Sequence, residues 1–344
     1  MILAINLNAS VDKRYELDEI QTGSVMRANS VENTAGGKGI HVANVATILG
    51  EDCLVTGFLG GKSGEFIEDK LQERGIKQDF VNIQGDTREC LAFITADQVQ
   101  TEILEPGPEV SSNEQDIFLE KYKVLLDEAD LVVASGSLPR NTAPDFYRKL
   151  IDLSNENGKQ FLLDASGKFL QEGIKSGPFF IKPNQTEVEV LTGRIIKTPA
   201  DAIKEIKLFQ KAGIAFVVIS FGSQGSVAGY ENHFYHVTFP SVNAVNPVGS
   251  GDAYVAGIAV GLARGYENHF YHVTFPSVNA VNPVGSGDAY VAGIAVGLAR
   301  DYKIKEILKF ASACGTANAL EKESGFVNLS TVNTLKQLVQ VRDL

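Results

Sequence analysis

The chain has 344 residues, 44% of them hydrophobic and 21% charged, the proportions of a soluble globular protein able to bury a sizeable core. Its 42 acids against 31 bases give a formal charge of -11, which sets the bulk field against nucleic acid and anionic membrane as partners. No apolar run approaches the roughly 18–20 residues of a membrane span. The cysteines (Cys53, Cys90, Cys314) are odd in number and lack metal-like spacing, so reduced thiols of a cytoplasmic protein are expected.

In chain order, Met1 to Leu7 lacks a basic leader and reads as a first strand. Residues 15–30 and 79–104 alternate in polarity and predict a small, partly exposed sheet. Such a lid would close over a substrate or pair with a second subunit; an edge extension of the main sheet is the alternative. Leu131–Ser135, Phe161–Asp164, Phe179–Lys182 and Phe216–Ser220 are near-continuous apolar runs, the pattern of parallel strands covered on both faces. Helical periodicity fills the intervals at 113–128, 144–157, 185–192 and 200–212. The alternation predicts a doubly wound α/β core, mostly parallel, in one domain with an inserted lid.

Residues 229 to 264 and 265 to 300 are the same 36-residue segment, back to back without one difference. Repeat architectures need about three or more diverged units, so a recent duplication inside one fold is the better reading. Deleting one copy leaves 308 residues that read as a continuous α/β protein. Each copy carries Asn-Pro-Val-Gly-Ser-Gly-Asp, at Asn246–Asp252 and Asn282–Asp288.

That string carries the most chemistry. In Gly249-Ser250-Gly251-Asp252 the glycines allow a tight turn that aims successive N–H groups at one point, and the helix behind adds its positive dipole end. A phosphoryl group in transfer suits that cradle, and Asp252 could take a proton from an attacking hydroxyl. A plain helix start capped by aspartate fits the same residues. Ala35-Gly36-Gly37-Lys38-Gly39 also leads into an apolar helix, without the spacing of a Walker A loop. It suits close backbone approach to a polar ligand, or a structural turn. Asn8 to Asp12 follows the first strand, where open α/β sheets bind ligands. In Lys182-Pro183-Asn184-Gln185-Thr186-Glu187 the Asn and Glu share the first turn of a helix, where they could hold a hydrated magnesium or simply cap it. Ser220-Phe221-Gly222-Ser223-Gln224-Gly225 is a further turn at a strand end. Four of the five histidines fall in the repeat (His233, His236, His269, His272) beside Tyr and Phe, as hairpin residues and not metal ligands.

Together these residues resemble the phosphofructokinase B family of ribokinase-like sugar kinases. Asn246–Gly257 is similar to that family's C-terminal signature and Gly36–Gly39 to its N-terminal one, with Lys182–Glu187 between, and the match covers the chain once one repeat is removed. Gly85–Arg88, Thr101–Pro108 and Ser135–Pro139 further resemble the branch that uses phosphorylated ketohexoses, the tagatose-6-phosphate kinases and 1-phosphofructokinases. The resemblance implies a ribokinase-like sheet with a β lid at about 12–30 and 79–105, and ATP- and magnesium-dependent phosphorylation of a ketohexose phosphate, tagatose 6-phosphate first. It implies Asp252 as base (Asp288 if the second copy is used) and Gly249, Ser250 and Gly251 as anion hole. Asp12, Gly37, Lys38 and His41 would hold the sugar, and Arg88 and Ser137 its phosphate, a guanidinium suiting a phosphate dianion. Asn184 and Glu187 would order magnesium through water, and Lys182, Ser220, Gly222 and Gly225 would line the nucleotide side. A homodimer through the lid is a further implication.

Two positions depart from the family pattern: Ala9 stands where proline is usual and His41 where an asparagine usually touches the sugar. An excursion after Arg264 would leave the chain far from the anion turn, so copy one with Asp252 is expected to work and copy two (265–300) to be extruded. Against the kinase reading stands a kinase-fold protein that only binds sugar phosphate, its site spoiled by the duplication. A ribose or nucleoside kinase would give Arg88 nothing to pair with.

Overall fold

The computed structural model describes residues 1–97, 99–221, 226–231, 233–237, 271–274 and 284–343. β1 (Ile2–Asn6) is buried at every position, as a strand covered on both faces must be. The chain then leaves the main sheet in β2 (Ser10–Glu16) and β3 (Ser30–Gly36), and returns through α1 (Lys38–Ile48) to β4 (Cys53–Leu59). After α2 (Gly61–Glu73) come two short edge strands, β5 (Lys77–Gln78) and β6 (Val81–Asn82), before β7 (Arg88–Ile94) and β8 (Gln100–Leu104) rejoin β2. The alternation resumes with α3 (Ser112–Glu128), β9 (Leu131–Ser135), α4 (Phe146–Glu156), β10 (Gln160–Asp164), α5 (Gly167–Gly173) and β11 (Phe180–Ile181). It closes with α6 (Gln185–Thr192), α7 (Pro199–Lys211) and β12 (Phe216–Ser220). The C-terminal part holds the hairpin of β13 (Ser226–Tyr230) and β14 (His233–Val237), then β15 (Tyr271–Thr274), α8 (Ser286–Ala299), α9 (Ile304–Ala319), α10 (Leu329–Leu338) and β16 (Gln340–Asp343).

Strands β5-β4-β1-β9-β10-β11-β12 run parallel in that spatial order, and β13 turns antiparallel beside β12. Side chains of β1 alternate between two cores: Ile2 and Ala4 meet α1, α8 and α9, while Leu3 and Ile5 meet α3 and α4. This is the expected doubly wound α/β architecture. Local signals set the helix starts. Ser111 with Glu114, Asn184 with Glu187, and Thr198 with Asp201 form reciprocal capping boxes, the last with Pro199 in the first turn.

The lid is a separate four-stranded sheet, β3-β2-β7-β8. Its outline corrects the expectation in two places. Residues 17–29 carry turns and irregular backbone, with the strand arriving later, at Ser30–Gly36. Residues 81–82 pair with β4 at the edge of the main sheet, because Val81 is buried there.

The repeat also departs from expectation. The second copy is not extruded on its described residues: α8 is buried from Ser286 to Gly297, packed against α9. A helix apolar on every side needs such a place. Glycines make it possible, since a Cβ on Gly293 would stand 2.5 Å from the Ala311 backbone. The β14 and β15 strands overlap in the repeated segment, paired parallel with His236 opposite its equivalent His272 and Val237 opposite Val273. The extra copy therefore adds a strand between β14 and β16 at the sheet's edge. His233 and His236 lie in the hairpin as expected, and His269 lies outside the described residues.

Candidate active site

The strand order reverses at β1, which continues to β4 on one side and meets β9 on the other. Open α/β sheets bind ligands in the crevice at such a point. A cleft of about 640 Å³ lies there, roofed by the lid. Asn6 ends β1, Asn8 lies in the turn just after it and Ser135 ends β9; all three line the cleft and are buried. Asn8 Nδ2 donates to Ser137 Oγ at 3.0 Å, which ties the two strand ends together. Asn6 Nδ2, Asn8 Oδ1 and Ser135 Oγ are buried without a hydrogen-bond partner among the described residues. Buried polar atoms left open in this way are costly unless a ligand or water completes them.

The glycine-lysine turn joins the lid to the cleft floor. β3 runs to Gly36, whose missing side chain leaves room for Asp12: a Cβ there would fall 2.1 Å from the Asp12 carboxylate. Gly37 caps α1 at φ 109, a conformation that favours glycine. The Gly39 N–H donates to Asn6 Oδ1 at 2.9 Å. Lys38 then stands at the mouth of α1, its Nζ 3.6 Å from Asp164 Oδ2. Lys182 approaches the same carboxylate from below, 3.4 Å from Oδ1. Burial alone would raise the Asp164 carboxyl, but Lys182 and then Lys38 outweigh it and hold it below the usual carboxylate value.

Across the cleft, Gly285 caps α8 at φ 84 and the helix opens with Ser286, Gly287 and Asp288. Asp288 is 5% exposed and lines the cleft. His41, one turn into α1, lies between two carboxylates: Nδ1 is 2.8 Å from Asp288 Oδ2 and Nε2 is 3.9 Å from Asp12 Oδ2. Burial would push the imidazole down. The hydrogen bond and charge of Asp288, with the charges of Asp12 and Glu323, overcome this and hold it above the usual histidine value. Asp12 also receives a hydrogen bond from Ser10 Oγ at 2.6 Å. Desolvation nevertheless leaves its carboxyl raised, against the pull of His41, Ser10 and Arg88.

Of the predicted residues, the cleft gathers Asp12, Gly37, Lys38, His41, Arg88, Ser137 and Asp288. Arg88 is more engaged than the sequence suggests: Nε and Nη2 donate to the Asn8 carbonyl at 3.3 and 3.1 Å, and Nη1 donates to the Glu105 carbonyl at 2.8 Å. Two of its five N–H groups remain for a ligand. The first-copy residues Gly249, Ser250, Gly251 and Asp252 lie outside the described residues, as do Gly222 and Gly225. The turn described at the cleft belongs to the second copy, where the first copy was expected. Lys182, Asn184, Glu187 and Ser220 do not line the cleft; Lys182 reaches it through Asp164, and Asn184 bridges to Ser220.

Sequence reasoning missed Asn6, Asp164 and Glu323. Asn6 and Asp164 are the last residues of buried strands on the same rim as Asn8, so the strand-end rule applied there would have found them. Glu323 follows α9 and carries no local signal.

The sequence model of the pfkB family of carbohydrate kinases matches residues 5–269 and again 266–331, restarting where the second copy begins. The chain therefore belongs to the pfkB family of carbohydrate kinases, ATP-using enzymes, and its fold is ribokinase-like. Among solved structures it is similar to a candidate phosphofructokinase from Staphylococcus aureus, 27% identical over 100% of this chain and 99% of that one, with TM-score 0.78. A possible 1-phosphofructokinase from Thermotoga maritima matches at 23% identity over 100% and 99% of the two chains (TM-score 0.81). Phosphofructokinase-2 from Escherichia coli matches at 22% over 98% of each (TM-score 0.81). The last two likenesses are of fold.

Proposed function

We propose that the chain phosphorylates a ketohexose phosphate, tagatose 6-phosphate to tagatose 1,6-bisphosphate, with fructose 1-phosphate as the second reading. The observation that carries it is the buried Asp288 carboxylate at the N-terminus of α8, facing a cleft that also presents Lys38 and Arg88. Asp288 Oδ2 is held by His41, which leaves Oδ1 to accept the proton of a sugar hydroxyl as its oxygen bonds to phosphorus. The backbone N–H groups of the first turn of α8 stabilise the charge on the transferring group. Lys38 and the two remaining Arg88 N–H groups favour a substrate that is already an anion. Asp12 and Asn8 Oδ1 accept from sugar hydroxyls. A neutral sugar would leave Arg88 without its purpose.

ATP would supply the γ-phosphoryl group, and magnesium, held through water by the chain's own side chains, would offset the charge on its oxygens. The chain's fit to the metal rests on Asn184 and Glu187. Asn184 Oδ1 accepts the Glu187 N–H at 2.8 Å, and Glu187 Oε2 accepts the Asn184 N–H at 2.9 Å. The capping box thus fixes both side chains, and Glu187 Oε1 remains to accept a metal-bound water. Lys182 and Ser220, on the same side of β11 and β12, would face the nucleotide.

The lid favours a second copy of this chain as partner. Tyr15, Val31 and Phe93 lie in register on one face, with Ile103 beside them, while Asp12, Thr34 and Glu102 alternate towards the cleft. Val31 and Ile103 are 54% and 55% exposed. Sheet-on-sheet pairing with the same face of a second copy would cover them. The free, buried thiols of Cys53, Cys90 and Cys314 suit a reducing compartment such as the cytoplasm. No helix among the described residues is long and apolar enough to cross a membrane. The test of the kinase reading is turnover of ATP with magnesium against tagatose 6-phosphate, fructose 6-phosphate and fructose 1-phosphate. Turnover of none of them would contradict it.

A further inference from the structure

His41 stands between two carboxylates of the cleft, yet phosphoryl transfer by an aspartate base has no evident need of an imidazole there. Three acids face it from three elements. Asp12 comes from β2 and Asp288 from α8, and Glu323 lies beyond α9, itself paired with Arg74. Of the cations nearby, Arg88 acts on Asp12 and binds carbonyls, and Lys38 is paired with Asp164. His41 is 7% exposed, so no solvent layer screens these charges from one another. Its place is fixed from behind as well. A Cβ on Gly325 (φ 68) would lie 2.5 Å from that of His41, and the neighbouring Asn44 donates to the Gly325 carbonyl at 2.8 Å.

Resting on the reading of Asp288 as the base, we propose that His41 is a positioning residue. It holds the Asp288 carboxylate through Nδ1 and offsets the negative charge that Asp12 and Asp288 would otherwise present to an anionic sugar phosphate. Two carboxylates this near a phosphate dianion would repel it; one imidazolium between them removes a unit of that repulsion. The pairing also leaves a single Asp288 oxygen for the sugar hydroxyl, which orients the base. Substrate affinity is then coupled to one proton. Below the midpoint of His41 the cleft binds the dianion more tightly than it does above it.

The histidine ring protons, followed by NMR from about pH 5 to about pH 8, test the pairing without any turnover. The His41 signal is the one among five histidines that His41→Asn removes. Its midpoint should lie above the ordinary value of about 6.5, fall in Asp288→Asn and stay put in Asp252→Asn. Calorimetric Kd for tagatose 6-phosphate should rise on the order of tenfold as pH passes that midpoint in the native chain. In His41→Asn, which retains any pH effect of the ligand's own phosphate, that rise should be absent. A midpoint at or below about 6.5, a midpoint indifferent to Asp288→Asn, or an equal rise in Kd in His41→Asn would overturn the proposal. If the native chain binds but turns over no sugar phosphate, while midpoint and Kd behave as expected, the pairing stands and the kinase reading falls.

Discussion

Two charge clusters flank the cleft, and they are opposites. On one side a single carboxylate, Asp164, sits between two ammonium groups, Lys38 at 3.6 Å and Lys182 at 3.4 Å. On the other a single imidazole, His41, sits between two carboxylates, Asp288 at 2.8 Å and Asp12 at 3.9 Å. The difference lies in what titrates near neutrality. Asp164 is held below the usual carboxylate value by its two lysines, so its charge does not change near neutrality. In the second, His41 is held above the usual histidine value and changes charge as pH passes it. A pair of lysines thus supports the cleft from the α1 and β11 side, while an imidazole that titrates stands on the side of the proposed base.

Breaking the second cluster at its acid should have the largest effect. Asp288→Asn removes the proposed base, and turnover of ATP against tagatose 6-phosphate should fall by about 10²–10⁴-fold, with the fold intact by circular dichroism. Breaking the first cluster should act on stability. Asp164→Asn leaves Lys182, 7% exposed, without a counter-charge, and denaturant unfolding should show a loss of about 3–5 kcal/mol. An unchanged midpoint of unfolding would show that water reaches the lysines.

The pH dependence sharpens the comparison, because the two clusters lose their contributions at opposite ends. The folded value of Asp164 is lowered, so its contribution is present above the ordinary value of 3.8 and is lost as pH falls through the folded value. The folded value of His41 is raised, so its contribution is complete below 6.5 and is lost as pH rises through the folded value. Thermal melts across pH should therefore show Asp164→Asn flattening the acid limb and His41→Asn the alkaline limb. The smallest effect on the site is expected from the lid's outer face. Ile103→Asp should shift the native mass in solution from dimer to monomer, measured by light scattering, with the monomer still folded.

Much of the fold was legible because its strands are covered on both faces. Leu131–Ser135 and Phe216–Ser220 are apolar without interruption, and their bounds coincide with β9 and β12. The lid was harder. β3 reads Ser-Val-Glu-Asn-Thr-Ala-Gly, four of its seven residues exposed, so alternation was diluted and the strand was placed too early. Within the site, turns that combine glycine with a charge were legible, since close approach and a positive φ demand glycine: Gly36 against Asp12, and Gly37 beside Asn6. Asp164 is hidden as the end of an apolar run, and Glu323 acts on His41 only through its charge, across the tertiary fold. The register of the repeat could not be read from two identical strings. It is decided by which helix packs against α9, a contact that local sequence does not encode.

The most direct test of the central claim is turnover of ATP with magnesium and tagatose 6-phosphate by the native chain, Asp252→Asn and Asp288→Asn side by side. The account predicts that Asp288→Asn abolishes activity and Asp252→Asn leaves it. Loss with Asp252→Asn alone would return the working turn to the first copy and contradict the account.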